Sequence, residues 1–541
     1  MLTLTYKNKV IATKPFLNQK PGTSGLRFKT KVFMQDNFVE NYIQSIYNAL
    51  SVKNKSISIG SDGRFYTPKT LQIALSMAIA NNANTVYIAQ NGVISTPAVS
   101  NFIRLNKLNF AITATASHNP AGIDNDFGIK VNNSFGSPLE DSLNNKIFEN
   151  TNNIDQYNIL ENFNLDINKL GKYKINNTTV IVFDPVVDYV EMLENIFNFN
   201  AIKKLLHSGF KFKFNGFCGT TGMYAKEIFV NKFQLDIGCL KNYVSKEDFG
   251  GLIPDPNPTT ALDFVNEVRN ENLDLGFCCD SDGDRNFIFS KKHFLEPSDQ
   301  IALFLEHIDT VLIYKNNLFG VARSFATSKA LDFVAKEKNV DLYITPVGWK
   351  FFGNLLEANK ITLCGEESFG VGSNHIREKD GLWAVLFILH IIATTNLTLD
   401  NILENLWSKY GRFYFNRLDY ENLSSMDAEN ILNKINKNAP TFENLDYKLT
   451  KIEQFNYTDP TTNIKTENAG LSIEFLCKKT NHNATLVIRK SGTGTQNTTL
   501  RLYITKYQNT NILQNKEQVL ANLIKSIKQL MDTNINPSFI V

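Results

Sequence analysis

The chain has 541 residues, a formal net charge of +3 at pH 7 and an apolar share of 43%. That length predicts roughly three or four domains, the apolar share excludes a globally disordered chain, and a nearly balanced charge gives no basis for nucleic acid or an anionic membrane as partner. Six cysteines (Cys218, Cys239, Cys278, Cys279, Cys364 and Cys477) lie scattered without C-x-x-C spacing, which argues for reduced thiols in a cytoplasmic protein and against a disulfide framework or zinc site. Met1 to Lys9 lacks an apolar core of signal-peptide length. The most apolar window, Leu382 to Ala393, is too short to span a bilayer and reads as a buried helix.

In chain order, a loop at Lys20 to Arg27 precedes a helix at Phe38 to Leu50, a strand at Ser56 to Gly60 and the turn Asp62-Gly63-Arg64. A helix from Pro68 to Ala80, a strand at Val86 to Ala89 and a helix from Pro97 to Leu105 lead to an apolar strand, Phe110 to Ala116. Strands alternating with helices predict a mostly parallel, helix-covered sheet. The polar stretch Asn150 to Lys174 reads as a surface excursion. The pattern then restarts with a strand at Thr179 to Phe183, one helix from Asp188 to Leu206, and strands at Phe210 to Phe214 and Leu273 to Cys279. It restarts again with a strand at Leu318 to Ser324, a helix at Ser328 to Lys338, a strand at Asp341 to Thr345, a helix at Trp349 to Ala358 and a strand at Ile361 to Cys364. Three such units suggest a divergent internal repeat with a period too long for a solenoid. The last section has strands at Tyr447 to Phe455, Leu471 to Cys477, Thr485 to Ile488 and Thr498 to Ile504, then a helix at Glu517 to Met531. It reads as α+β, an antiparallel sheet with helices on one face. The expected domains are 1–178, 179–292, 293–408 and 409–541.

Four loops carry chemistry. The first, Ser117-His118-Asn119-Pro120, follows a buried strand, and in open α/β sheets ligands gather at the carboxyl ends of strands. Its residues are also ordinary turn formers. In the second, Asp280-Ser281-Asp282-Gly283-Asp284-Arg285, three alternating carboxylates can converge on one hard cation. An EF-hand would need Gly at its sixth position and Glu at its twelfth, where this chain has Arg285 and Lys291. A Mg²⁺ site that leaves positions open for water or a phosphate oxygen is the better reading; the alternative is a solvated acidic turn. The third, Gly365-Glu366-Glu367-Ser368-Phe369-Gly370, can accept hydrogen bonds from sugar hydroxyls, and His375, Arg377 and Lys379 beyond it form a cationic cluster able to face an anion. A solvated helix start accounts for that cluster equally well. The fourth, Arg489 to Thr495, is neither a Walker loop nor a dinucleotide fingerprint. Its glycines and hydroxyls suit an oxyanion, and Arg489 suits a bidentate clamp.

Taken together, these loops resemble those of the α-D-phosphohexomutases, and among them the glucose-specific branch. The similarity covers nearly the whole chain. It includes Pro21 to Arg27, Gly63-Arg64-Phe65-Tyr66, Gln90 to Val99, Thr115 to Pro120, Asp126 to Lys130, Asp255-Pro256-Asn257-Pro258 and Asp280 to Arg285. It continues through Gly348 to Asn354, Gly365 to Gly370, His375 to Trp383, Arg489 to Thr495 and Arg501-Leu502-Tyr503.

The resemblance implies three similar α/β domains plus a C-terminal α+β domain around a central cleft, each donating one loop. It implies Ser117 as the phosphoserine, with Arg27, His118, Lys130 and Lys379 lining the same site and His118 and Lys379 as proton-transfer candidates. Asp280, Asp282 and Asp284 would hold one Mg²⁺ per chain, with an oxygen on Ser117 completing the site. Thr23, Arg285, Gly348, Trp349, Glu366, Ser368, Arg377, Arg489, Ser491, Gly492, Thr493 and Thr495 would bind substrate. The reaction so implied interconverts glucose 1-phosphate and glucose 6-phosphate through glucose 1,6-bisphosphate, which also serves as activator. A hexose phosphate is thus the expected partner of a cytoplasmic monomer or weak dimer that binds neither nucleic acid nor membrane. The Gly-Glu-Glu-Ser-Phe-Gly form of the third loop points to glucose over mannose or glucosamine. Two residues depart from the pattern: Val347 stands where a Thr is usual before Gly-Trp-Lys, and Asn215 where a His is usual before Gly216. A broader phosphohexomutase accepting mannose phosphates, or a catalytically silent structural paralogue, are the alternatives. A serine hydrolase is disfavoured because no Gly-x-Ser-x-Gly elbow surrounds Ser117.

Overall fold

The computed structural model describes residues 2–22, 24–492, 498–532, 537 and 539–540; of Ser491, Gly492, Phe539 and Ile540 only the backbone is described. The chain forms two compact units. One comprises Met1–Pro256, Thr260–Lys291 and Gly372–Thr394, the other Asn257–Thr259, Lys292–Val371 and Thr395–Val541.

The first unit opens with strands β1 (Leu2–Leu4), β2 (Asn8–Ala12), β3 (Leu26–Lys29), β4 (Ser56–Ser61), β5 (Thr85–Val93), β6 (Phe110–Ala114), β7 (Asp126–Asn132), β8 (Gln156–Leu160), β9 (Gly171–Ile175) and β10 (Thr178–Phe183). Eight of them make one sheet in the order β1-β9-β10-β5-β4-β6-β7-β3, and β2 pairs with β8 apart from it. The central strands β10, β5, β4 and β6 run parallel, while β7 returns antiparallel to β6. Parallel strands are covered on both faces. Accordingly every residue of β6 is buried, and Ile57, Ile59, Val86, Ile88, Phe110 and Ile112 share one core with the helices Phe38–Leu50 and Thr67–Ala80. Each large apolar side chain so buried is worth roughly 1.5–3 kcal/mol. Helix Thr96–Asn106 starts where it does because Ser95 accepts a bond from the Ala98 amide and Pro97 stands in the first turn.

Three expectations shift here. The strand expected to open a second domain, Thr179 to Phe183, is β10, seated between β9 and β5 of the first sheet. The expected surface excursion holds β8 and β9, and it buries Leu160, Leu165 and Ile167. The single helix expected from Asp188 to Leu206 is two, Val187–Ile196 and Phe199–Leu206. Asn198 splits it, because its side chain accepts from the Ala201 amide at 3.0 Å and starts a new helix.

The same unit holds a second sheet of β11 (Phe212–Asn215), β12 (Leu240–Lys241), β13 (Leu275–Cys279) and β14 (Asn286–Phe289), ordered β12-β11-β13-β14. β13 runs parallel to β11, and β14 returns antiparallel to β13. The window expected to be a buried helix is the helix Gly381–Thr395, apolar all round and buried from Gly381 to Ile392. Among the described residues no single helix is long and apolar enough to cross a membrane. All six cysteines are free thiols.

The third sheet, of β15 (Gly320–Ser324), β16 (Asp341–Thr345), β17 (Leu363–Glu366) and β18 (Gly370–Ser373), is ordered β16-β15-β17-β18, with β15 parallel to both neighbours; β15 to β17 belong to the second unit. The last sheet contains β19 (Arg412–Leu423), β20 (Tyr447–Thr458), β21 (Lys465–Cys477), β22 (Asn483–Gly492), β23 (Thr498–Gln508) and β24 (Phe539–Ile540), in the order β20-β21-β22-β23-β19-β24. All its pairings are antiparallel. Alternation along β21 sends Leu471, Ile473, Phe475 and Cys477 into a core closed by Ile431 and Ile435 of helix Ser425–Asn438 and by Leu520, Leu523 and Ile527 of helix Lys516–Met531. β19 and the helix after it escape the sequence reading. Arg417 and Asp419 interrupt the apolar alternation of β19, and the structure hides their charges in an ion pair at 2.6 Å.

The three α/β sheets share one feature. The strand pairs β6–β7, β13–β14 and β17–β18 each join strands that are consecutive in the chain and adjacent in the sheet, and the first, second and third chemical loops connect them; β13–β14 and β17–β18 end their sheets, whereas β3 lies beyond β7. The divergent repeat read from the sequence is thus a repeat of where the loops sit.

Candidate active site

In the first unit, β6 ends at Ala114, and the next residues climb out of the sheet into the Ser117 turn. Ser117 has φ +50°, in the left-handed region that costs a non-glycine residue roughly 1–2 kcal/mol. Its Oγ donates to Asp280 Oδ2 at 2.8 Å and stands 3.3 Å from His118 Nδ1. Arg27 on β3 lies opposite Gly128 on β7. Gly128 is required there, since a Cβ would stand 2.5 Å from the Thr115 carbonyl oxygen.

The loop between β13 and β14 turns at Gly283, whose φ of +78° suits glycine. Asp280, Asp282 and Asp284 are all buried, and each offers a carboxylate oxygen within 4.8 Å of the others. Asp282 Oδ2 accepts from Thr96 Oγ1 at 2.9 Å, and Asp280 Oδ1 from the Arg285 amide at 2.9 Å. Asp282 Oδ1 and Asp284 Oδ1 are buried with no hydrogen-bond donor. Burial, reinforced by Asp282 and Asp284, pushes the Asp280 carboxyl well above the ordinary range. Burial and Asp284 also raise Asp282. For Asp284 burial is outweighed by Lys379, Lys130 and Arg285, which hold it below the ordinary range. Three carboxylates converging in a dry place, with donorless oxygens on two of them, fit a hard divalent cation.

Cations surround this triad. Lys379 Nζ lies 3.6 Å from Asp284 Oδ2, and Arg285 lies 3.9 Å from Asp284 and 3.6 Å from Asp255. Arg27 is half-buried; desolvation, with Arg285 and Arg64 adding, lowers its pKa against the pull of Asp282 and Asp284. Lys130 Nζ pairs with Glu378 Oε1 at 2.6 Å, and Asn132 Nδ2 donates to that same oxygen at 2.7 Å. Burial raises Glu378 above the usual carboxylate range despite Lys130.

Ser117, His118, Arg27, Lys130, Arg285, Lys379 and the three aspartates thus belong to one unit. Arg377 is buried beside them in sequence and gives Nη1 to the carbonyls of Asn374 and Ile376. The expected cationic cluster loses His375. Its ring lies between Ser373 Oγ at 2.6 Å and Asp380 Oδ2 at 3.1 Å and stacks on Trp383, a buried network that fastens the loop. Thr23 lies outside the described residues.

The sequence reading quotes Asp62, Arg64, Thr96, Thr115, Ser281 and Glu378 within its motifs but gives none of them a role. Two opposite charges around Gly63, directly after a buried strand, are the one available signal among them. Asn215 ends β11 by accepting from the Phe217 amide at 3.0 Å and from Asn242 Nδ2 at 3.1 Å, so it shapes a turn.

In the second unit, the β17–β18 loop places Ser368 Oγ 2.6 Å from Glu366 Oε1, while Glu367 Oε2 accepts from Ser324 Oγ at 2.6 Å. Gly348, with φ +132°, opens the helix Trp349–Glu357. Trp349 packs with Phe352 and Leu356, its Nε1 buried without an acceptor. Val347 packs on Phe325, Phe415, Val487 and Tyr503, an apolar setting in which a hydroxyl would gain little. Arg489 on β22 donates to Tyr503 Oη at 3.3 Å. Burial would lower its pKa, but Tyr503, Glu367 and Glu366 raise it, so the third and fourth loops are electrostatically coupled. Arg501 stands directly across from Arg489 and beside Asp419, a second cation that the sequence reading quoted without assigning a role. Thr493 and Thr495 lie outside the described residues, as does the side chain of Ser491, and of Gly492 only its place at the end of β22 is given.

Repeated α/β domains that each present a polar loop at the same hairpin, followed by an α+β domain, define a phosphohexomutase fold. Family models of phosphoglucomutase/phosphomannomutase α/β/α domains I, II and III match residues 18–158, 187–293 and 297–410. A model of the phosphoglucomutase-1 C-terminal domain matches 412–536. A phosphoglucomutase of Rhizobium radiobacter is 41% identical over 92% of each chain, and phosphoglucomutase-1 of Bos taurus is 41% identical over 95% of each. The crystal structure of pp63/parafusin, an exocytosis-sensitive phosphoprotein and phosphoglucomutase from Paramecium, superimposes in its open form with a TM-score of 0.90, at 35% identity and over 100% of both chains. The chain belongs to the phosphoglucomutase/phosphomannomutase family, and within it to the phosphoglucomutases. Plant relatives carry both cytoplasmic and chloroplastic in their names.

Proposed function

We propose that this chain is a phosphoglucomutase that interconverts glucose 1-phosphate and glucose 6-phosphate through a phosphorylated Ser117 and a glucose 1,6-bisphosphate intermediate, with the bisphosphate also acting as activator. The observation that carries the reading is the 2.8 Å bond from Ser117 Oγ to Asp280 inside the buried triad of aspartates. A hydroxyl at a strand end, beside three carboxylates and a ring of cations, suits phosphoryl transfer, which needs positioning and charge neutralisation.

Asp280, Asp282 and Asp284 would hold one Mg²⁺. When bound it neutralises phosphoryl oxygens on Ser117. The remaining work falls to the chain. Arg27, Lys130, Arg285 and Lys379 neutralise phosphoryl charge. Glu366 and Ser368 accept and donate to sugar hydroxyls. Arg489, with the Ser491 to Thr495 segment, grips the phosphate that does not react. Trp349, Gly348, Thr23 and Arg377 complete substrate binding. Relatives named cytoplasmic support a cytoplasmic enzyme.

The test is conversion of glucose 1-phosphate to glucose 6-phosphate with Mg²⁺ and a trace of glucose 1,6-bisphosphate, run beside mannose 1-phosphate. Preference for glucose supports the reading. Equal rates would move the chain to the broader mutases, and no turnover of either sugar would sink the enzyme.

A further inference from the structure

We propose that the buried pair Asp62–Arg64 is a positioning element that holds Ser117 in its left-handed backbone conformation by gripping both peptide groups of that residue. The inference rests on the reading of Ser117 as the phosphoryl acceptor.

Both side chains are 0% exposed, and Arg64 Nε meets Asp62 Oδ2 at 2.9 Å. On the basic side, Arg64 Nη2 donates to the Ser117 carbonyl at 2.7 Å and reaches the Asn119 carbonyl at 3.4 Å, while Nη1 donates to the Asp126 carbonyl at 2.7 Å. On the acidic side, Asp62 Oδ2 accepts from Thr115 Oγ1 at 2.7 Å, and Thr115 Oγ1 accepts in turn from the Ser117 amide at 2.8 Å. The Ser117 carbonyl also receives Ser281 Oγ from the aspartate loop at 2.7 Å. The amide and the carbonyl of Ser117 are therefore tied, from opposite sides, to one ion pair. The guanidinium carbon lies 5.3 Å from the centroid of the buried Phe249 ring.

Burying two charges costs about what their attraction returns, so the pair's contribution lies in geometry. A guanidinium presents its donors in a planar fork and reaches three carbonyls at once; an ammonium is a point charge and cannot. Loss of the fork would let Ser117 relax toward ordinary backbone angles and swing Oγ away from Asp280. A displacement near 1 Å at a reacting atom can cost about a hundredfold in rate.

The experiment compares Arg64→Lys, Thr115→Val and Ser117→Ala, reading kcat and KM for glucose 1-phosphate, phosphoserine content by intact mass, and Tm. Arg64→Lys keeps the charge but loses the fork, and kcat is expected to fall about a hundredfold with KM nearly unchanged. Thr115→Val removes the hydroxyl that joins the Ser117 amide to Asp62, together with its longer 3.4 Å contact to Asp282 Oδ2, and keeps both charges; about a tenfold fall in kcat at saturating Mg²⁺ is expected. Unchanged kcat in both variants overturns the inference, and so does a fall in Tm with kcat retained in the folded fraction. Should Arg64→Lys fail to fold, Thr115→Val decides by itself. Ser117→Ala separates the two readings. Activity in that variant removes the nucleophile assignment, whereas its inactivity beside an unaffected Arg64→Lys leaves the mutase reading standing and removes only this one.

Discussion

Ser117 Oγ and Asp280 Oδ2 lie 2.8 Å apart although 163 residues separate them in the chain. Truncating that hydroxyl tests the site directly. Ser117→Ala is expected to abolish turnover, by at least about a thousandfold, and to lower Tm only slightly, since it removes a single hydroxyl, the donor to the buried Asp280. Full turnover with added glucose 1,6-bisphosphate would exclude Ser117 as the acceptor.

Asp282 is anchored by Thr96 through one oxygen and leaves the other without a donor. Asp282→Asn retains a carbonyl for Thr96 and removes one charge from the triad. The Mg²⁺ concentration for half-maximal rate is expected to rise about tenfold or more, and kcat to fall with it. An unchanged Mg²⁺ titration would dissociate the triad from metal binding.

Lys130 and Glu378 form a buried pair, side chains 7% and 1% exposed. Breaking one half leaves an uncompensated charge, so Glu378→Gln should destabilise by about 3 kcal/mol or more. Lys130→Met combined with Glu378→Gln should recover part of that loss in urea unfolding. Strictly additive single and double variants would show that the two residues are uncoupled.

Asp299 gives a pH prediction. Burial, opposed by Arg412 and by the Trp407 indole bond at 3.0 Å, pushes its carboxyl up to about 7 from an ordinary 3.8. The folded chain therefore keeps a proton that the unfolded chain releases near pH 4. The associated stability is fully present below about pH 4 and is lost as pH rises towards 7, a few kcal/mol in all. Melting of Asp299→Asn should lose this component. Parallel pH profiles for both proteins would refute the raised pKa.

Much of the architecture is legible in the sequence, because apolar runs such as Phe110 to Ala114 and periodic helices such as Phe38 to Leu50 leave few alternatives. The aspartate triad is legible for a different reason. Three alternating carboxylates after a buried strand repel one another unless a cation or solvent screens them. What escapes is whatever depends on distant pairing. Nothing local to Asp62 and Arg64 shows that they reach Ser117, and nothing local to Glu378 shows that it meets Lys130. His375 reads as a surface cation because Ser373, Asp380 and Trp383 contain it only once the loop has folded. β19 hides because its charges, the partly exposed Arg417 and the buried Asp419, pair with each other on the folded strand.

The hairpin placement of the three chemical loops bears on how such a chain can change. Each loop is bounded by two neighbouring strands, and the ladders β6–β7 and β13–β14 hold its ends in register. Residues inside a loop can be exchanged without moving its anchor points, whereas a single insertion in either flanking strand would turn the whole side-chain row over. New substrate preferences are therefore open to point substitution between fixed posts, while the strands that carry the posts tolerate almost no change in length.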